Sequence, residues 1–484
     1  MCGIAGQVHF DEDPTALRLS VEKMTATMAC RGPDAGGVWA DHGVALGHRR
    51  LAVIDLPRGA QPMVAELGEH HVVVTYSGET YNFTELRSEL SARGHHFRTR
   101  SDTEVVLRGY LEWGAAVAER LNGMFAFAIW VSRDQRLVLV RDRLGIKPLF
   151  YFPTSGGVLF GSEPKAIHAH DLAPPVVERD GLRELLTLTK TPGHAVYAGM
   201  AEVKAGTTVI VDRNGVREHT FWALRAEPHE DDVDTSVRHI RDLLEDIVAL
   251  SGEGADEIFG GCRWFHDPEV QRADTFPWMS YARAHGPMGA LNKEFAAALD
   301  LDAYVADRYH DAVAEAPVLP DDSPFERRMR IISYVHLTRM LRVHLDGKDR
   351  ISMANGLEVR VPFCDHRLVQ YVYNTPWSFK TFRRQGEEPV AGGGRRPAAR
   401  GCAVAPQKPV PAHSDVSYVT CLQKLTAELR SQAASWVVDL FDRDAIEQAI
   451  TAPAEQVSPQ SRAVMERMSS FHAWNQICAP TIKL

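Results

Sequence analysis

Apolar positions in the first 220 or so residues fall mostly in short runs. Val72-Val73-Val74-Thr75-Tyr76 is β-branched, is entered from His70-His71 and closes at Ser77-Gly78, the pattern of a strand ending at a turn. Met124 to Val131, Leu137 to Val140, Pro148 to Phe152 and Thr207 to Val211 predict further strands. The longest of them is apolar enough to be buried on both faces. Between them, Phe83 to Leu90 and Thr103 to Leu111 carry apolar residues at helical spacing. This many strands predicts a sandwich.

The pattern breaks at Glu227-Pro228-His229-Glu230-Asp231-Asp232-Val233-Asp234, an acidic, apolar-poor run with a proline that reads as a solvated linker. Beyond it Val237, Ile240, Leu243, Leu244, Ile247 and Val248 recur at helical spacing, and Arg328 to Val343 does the same, so the second half reads as mostly α. No internal repeat is visible. The chain divides into residues 2–225, a linker 226–236 and residues 237–484.

Composition narrows the function classes. At 484 residues and 45% hydrophobic, the chain can bury at least two cores. Its net charge of −9 is spread over interleaved acidic and basic residues, which gives no basic stripe for nucleic acid and no polybasic cluster for a membrane surface. Small-molecule chemistry is the remaining expectation. Seven cysteines are scattered without paired spacing and read as reduced thiols. With no basic segment leading into an apolar run and no stretch near the roughly 18 residues of a membrane span, a cytoplasmic protein is expected.

The candidate chemistry starts at Met1-Cys2-Gly3-Ile4-Ala5-Gly6. Removal of the methionine would put a thiol and a free α-amine on Cys2, a nucleophile beside a base that titrates at roughly 7.7–8.0. Arg31-Gly32-Pro33-Asp34, Arg50 to Asp55, Ser77-Gly78-Glu79-Thr80-Tyr81-Asn82 and Ser101-Asp102-Thr103-Glu104 follow in order. Arg141 to Leu149 and Ser162 to Ile167 come next. This series resembles the glutaminase domain of glutamine-dependent asparagine synthetases. Ser251-Gly252-Glu253-Gly254-Ala255-Asp256-Glu257-Ile258-Phe259-Gly260-Gly261 and Glu358 to Asp365 resemble the synthetase half of the same family. The resemblance covers nearly the whole chain. It implies an α+β αββα sandwich of the N-terminal nucleophile type, followed by a mostly α, truncated α/β nucleotide-binding domain.

The resemblance also implies roles. Cys2 matches the thiol that attacks the glutamine side-chain amide, forming a glutamyl thioester and releasing ammonia, with its own amine as base. Arg50 matches the arginine that pairs with the substrate α-carboxylate, for which a guanidinium fork is suited. Glu79 and Asp102 match the residues around the α-ammonium. The family usually has Asn-Gly-Glu where this chain has Ser77-Gly78-Glu79, so Ser77 and the Gly78 N–H stand at the oxyanion hole. Losing one such donor typically costs about 2.7–4 kcal/mol of transition-state stabilisation. A slower glutaminase is expected.

In the second half the family activates aspartate with ATP and Mg²⁺, and ammonia then displaces AMP. The resemblance implies ATP contacts by Ser251 and Gly252, a role for Glu253 in adenylate formation and Mg²⁺ ligation by Asp256. A Ser-Gly-Gly-x-Asp-Ser loop, whose N–H groups cradle pyrophosphate, is absent. A helix ending at Ala249 runs straight into Leu250-Ser251, as though a strand, loop and following helices were deleted. The family's catalytic lysine is missing too, and neither Lys348 nor Lys380 stands at its position. Back-translated with one choice of codons and read one base later, Arg383 to Pro389 yields Asp-Gly-Arg-Glu-Lys-Ser, which resembles the lysine segment, and Gln407 to Ser414 can likewise be shifted to a family-like run. The segment 383–414 reads either as a flexible loop or as a pair of compensating frameshifts.

The expected function is a glutamine-dependent asparagine synthetase acting on glutamine, aspartate and ATP, with its synthetic step in question. The alternatives are a stand-alone glutaminase, which forms glutamate without ATP, and a non-catalytic remnant, which forms no thioester at Cys2. Oligomeric state is open, a homo-oligomer included.

Overall fold

The computed structural model describes residues 2–247, 251–285, 287–380, 415–431 and 436–483. The frameshift reading of 383–414 and the residues Val248, Ala249 and Leu250 lie outside them.

Strands β1 (Gly3–His9), β2 (Ala35–Asp41), β3 (Val44–Arg50), β4 (Met63–Leu67), β5 (His70–Thr80), β6 (Gly123–Val131), β7 (Arg136–Arg141), β8 (Phe150–Thr154), β9 (Gly157–Gly161), β10 (Val176–Glu178), β11 (Ala201–Glu202), β12 (Thr207–Asp212) and β13 (Gly215–Thr220) occupy the first half. All but β10 build two six-stranded antiparallel sheets, in orders β11-β8-β9-β1-β3-β2 and β13-β12-β7-β6-β5-β4. β6 shows why they stack. Ala126, Ala128 and Trp130 point to one face and meet Ile4, Val8, Val44 and Leu46 of the other sheet. Phe125, Phe127, Ile129 and Val131 point to the opposite face. Both faces of the strand are buried, which is why its sequence is continuously apolar.

Helices close both outer faces. α1 (Pro14–Ala26), capped by the Asp13 carboxylate on the Thr15 N–H, lays Leu17, Val21 and Met24 on the first sheet. α2 (Phe83–Ala92) and α3 (Asp102–Trp113) lay Leu86, Leu90, Val105 and Val106 on the second. The layers run helix, sheet, sheet, helix. Sequence periodicity reads β5, β6, β7 and β12 well but misses β1 to β3. Their glycines weaken the strand signal and are required by packing. At Gly47 a Cβ would sit 2.4 Å from Thr25 Cγ2 and 2.6 Å from Val21 Cγ1 of α1.

The second half is helical. The acidic run expected as a solvated linker is extended but held. Tyr371 OH donates to Asp231 (2.6 Å), the Glu227 N–H donates to Asn374 Oδ1 (2.7 Å), and Asp232 caps the helix Val233–Asp246. That helix stops at Asp246, short of the expected Ala249, and only Ile247 to Leu250 separate it from Ser251. Among the described residues beyond 236 the one strand is β14 (Thr481–Lys483), parallel to β10. Among the described residues of this half no α/β sheet is found.

The helix pair Pro324–Val335 and Leu341–Ala354, joined by one π-helical turn at His336–Met340, runs beneath the sandwich. Leu341 and Leu345 share a core with Met124 and Ile146 of the first half. Arg342 donates to the Leu144 carbonyl (2.7 Å) and to Glu202 (2.8 Å). No helix among the described residues is long and apolar enough to cross a membrane.

Candidate functional site

Antiparallel pairing brings the N-terminal motif residues together. Gly3 opposes Arg49 in the β1–β3 register, which sets Cys2 beside Arg50 at the end of the first sheet. β5 of the second sheet ends at the same place with Ser77 to Thr80. The Ser77 hydroxyl donates to the Cys2 carbonyl at 2.8 Å, and Arg31 Nε makes a longer contact to the same oxygen at 3.4 Å. The Cys2 thiol faces the Leu51 carbonyl at 3.7 Å. Burial pushes the thiol up to about 11, and the charges of Glu358 and Glu79 push the same way. At neutral pH Cys2 is therefore a thiol, and its attack requires a base.

Gly78 lies against β6. A Cβ there would fall 2.4 Å from the Met124 carbonyl oxygen and 2.6 Å from Phe125 Cα, so no larger residue passes. Arg50 donates to the carbonyls of Leu56 (2.8 Å), Ile54 (3.2 Å) and Asp55 (3.0 Å), which fixes the loop after β3. Asp102, at the start of α3, accepts from the Thr80 N–H at 3.1 Å. Glu79 is buried, and burial together with the nearby carboxylates of Glu358 and Asp102 raises its pKa well above the usual range. Arg360 offers partial compensation at 3.5 Å. Glu358 and Arg360 come from the second half, and Arg360 Nε pairs with Glu358 at 3.3 Å. The sequence motif contains them but gives no sign that they face Glu79. A cavity of about 680 Å³ between the two halves is lined by Glu79, Tyr81, Arg143, Arg360 and His366 among others, and Cys2, Arg50 and Asp102 do not line it.

The second group of motif residues gathers at the helix Leu341–Ala354. The Lys348 ammonium donates to Ser251 Oγ and lies 3.3 Å from Glu253 Oε1. Gly252 is exposed next to them. Sequence matching set Lys348 aside, yet it is the cation that the fold brings to these residues. His344 Nδ1 is 3.2 Å from Glu257 and 4.0 Å from the other Glu253 oxygen. Glu253, Glu257 and His344 thus lie close enough to share a cation, but both oxygens of Glu253 already face a basic group. Asp256 is half-buried and does not belong to that group. One carboxylate suits Mg²⁺ that arrives on nucleotide phosphates better than a resident ion.

Two families match the chain. The glutamine amidotransferase domain family matches residues 1–222, and the asparagine synthase family matches residues 207–476. Asparagine synthetase [glutamine-hydrolyzing] 3 of Bacillus subtilis (strain 168) is 30% identical over 581 residues, covering 93% of both chains. An alignment longer than the 484 residues here includes stretches of the relative with no counterpart in this chain. Asparagine synthetase [glutamine-hydrolyzing] 1 of the same organism is 33% identical over 51% of this chain and 39% of its own. Among solved structures, the glutamine phosphoribosylpyrophosphate amidotransferase of B. subtilis covers 52% of this chain and 59% of its own at 18% identity, with a TM-score of 0.35. The class is therefore a glutamine amidotransferase joined to an amide-forming synthase. The chain belongs to the glutamine-hydrolysing asparagine synthetase family.

Proposed function

We propose that residues 2–225 hydrolyse the side-chain amide of glutamine at Cys2 and that residues 237–484 use the ammonia to amidate ATP-activated aspartate. The observation that carries this reading is the grip on Cys2, whose carbonyl is held by Ser77 while Arg50, Glu79 and Asp102 converge on the same end of the sandwich. After methionine removal, the Cys2 amine takes the thiol proton, and the thiolate attacks the amide carbon. Ammonia leaves, and water releases glutamate from the thioester. The N–H groups of Arg50 not spent on its loop pair with the α-carboxylate. Glu79 and Asp102 receive the α-ammonium, and the Gly78 N–H faces the developing oxyanion.

In the second half Ser251 and Gly252 contact ATP, Glu253 assists adenylate formation, and Asp256 meets Mg²⁺ carried on the phosphates. A fold of N-terminal nucleophile type and a cytoplasmic setting belong to the same reading. The six described cysteines are free thiols, which supports that setting. A second reading, a glutaminase whose synthetic step is lost, is favoured by the short passage from Asp246 to Ser251.

Mass-verified protein supplied with aspartate, Mg-ATP and ammonium tests the synthetic half without the glutaminase. Asparagine above a no-ATP control supports the full enzyme. No asparagine, with glutamate still formed from glutamine and lost in Cys2→Ala, leaves the glutaminase. Neither product overturns both.

A further inference from the structure

The helix Leu341–Ala354 reaches the nucleophile of the other half through one side chain. Asp349 Oδ2 lies 2.7 Å from Arg31 Nη1, and its other oxygen accepts from Lys147 Nζ at 3.0 Å. The same Arg31 nitrogen is 2.9 Å from Glu163, and Arg31 Nε approaches the Cys2 carbonyl at 3.4 Å. Arg31 is 1% exposed, and Asp349, Glu163 and Lys147 are also buried, so water cannot substitute for a lost partner. Asp349 and Glu163 thus clamp the guanidinium from the two halves of the molecule, and its Nε edge faces the main chain of Cys2. Ser77 holds the same carbonyl from β5. Both contacts fix the peptide plane from which the Cys2 thiol and amine project.

We infer that Asp349 is a positioning residue for the Cys2 nucleophile, acting through Arg31, so that the geometry of the glutaminase depends on a side chain of the synthetase half. This deepens the glutaminase reading and rests on it. Geometry of this kind governs attack and not substrate affinity, because displacing a reacting atom changes the fraction of productive encounters. The network also separates positioning from simple docking. Arg31, Lys147 and Lys165 face Glu163 and Asp349. Lys147→Met removes a docking contact of Asp349 but leaves Arg31 clamped. Asp349→Asn removes the carboxylate of the second half and leaves Arg31 to Glu163 alone. The double variant Lys147→Met/Asp349→Asn does the same with the charge balance of the parent.

The test measures kcat and KM for glutamate release, together with the rate of Cys2 alkylation by iodoacetamide, in the full chain. Asp349→Asn and the double variant are expected to lose at least tenfold in kcat and in alkylation rate with KM within twofold. Asp349→Glu should recover part of the loss, and Lys147→Met should stay within twofold of the parent. Three outcomes overturn the inference. These are unchanged kcat and alkylation in a natively folded variant lacking Asp349, equal losses in Lys147→Met and Asp349→Asn, and loss of fold in both variants lacking Asp349, which makes it a stability residue. A parent that releases no glutamate removes the functional reading, whereas alkylation still reports whether Asp349 sets the accessibility and orientation of Cys2.

Discussion

The hydroxyl of Ser77 donates its one proton to the carbonyl of Cys2 at 2.8 Å. A hydroxyl has a single O–H, so in this arrangement Ser77 orients the nucleophile and has no donor left for an oxyanion. The family's asparagine has two N–H donors at this position and can serve both needs.

Ser77→Ala is accordingly expected to lower kcat for glutamate release by about three- to tenfold with KM unchanged, the effect of one hydrogen bond worth about 0.5–1.5 kcal/mol. Ser77→Asn is expected to raise kcat above the parent. Steady-state assays of the two variants check both, and an unchanged Ser77→Asn would mean that no donor is missing.

Acid should loosen the joint between the halves. Burial alone would raise Asp349, but Lys147 and Arg31 outweigh it and hold the carboxyl below its ordinary 3.8. Glu202 is likewise raised by burial and lowered more by Arg141, Lys190 and Arg342, below its ordinary 4.5. A depressed carboxylate stabilises the fold above its unfolded pKa, and that stability disappears as pH falls towards the folded value. The urea midpoint should therefore be flat near pH 7 and fall steadily below about pH 5. Glu202→Gln should flatten that slope and cost about 3–5 kcal/mol at pH 7, because Arg141 is left buried without its carboxylate. Equilibrium unfolding across pH 3–7 reads both effects.

Local chemistry explains what was legible in the sequence. Cys2, Ser77, Gly78, Glu79 and Asp102 stand in contiguous motifs at the ends of strands or the start of a helix, and the stacking of the two sheets brings these ends together. Lys348, Asp349 and Glu358 act through contacts that join distant parts of the chain, and neither periodicity nor spacing encodes those. The direction of the Ser77 hydroxyl was equally invisible, since it depends on where the Cys2 carbonyl sits after the sheets have packed. The strands β1 to β3 were hidden by their glycines, and at Gly47 the approach of α1 leaves no room for a side chain.

Lys348 sits between Ser251 and Glu253, where it is the cation nearest the expected nucleotide contacts. Lys348→Ala removes a charge-assisted contact worth about 1.5–3 kcal/mol. ATP binding, measured by equilibrium dialysis, should weaken about tenfold or more. Glutamate release should remain within twofold of the parent, because Lys348 makes no contact with the Cys2 site among the described residues. Equal ATP affinity in parent and variant would show that Lys348 only braces the helix.

Glu79 gives the glutaminase a pH signature. Burial, then the charges of Glu358 and Asp102, raise its pKa, and Arg360 at 3.5 Å offsets only part of this. At neutral pH the carboxyl consequently favours its protonated form. Binding the α-ammonium of glutamine requires the charged form, so KM for glutamine should fall as pH rises through the Glu79 pKa. Glu358→Gln removes the largest repelling charge, so Glu79 ionises more readily and the fall in KM should move to lower pH. Burial holds the Cys2 thiol above this range, so the thiol itself adds no transition between pH 6 and 9. The KM profiles of parent and Glu358→Gln between pH 6 and 9 decide the matter. A displacement towards acid assigns the ammonium to Glu79, and superimposable profiles place it elsewhere.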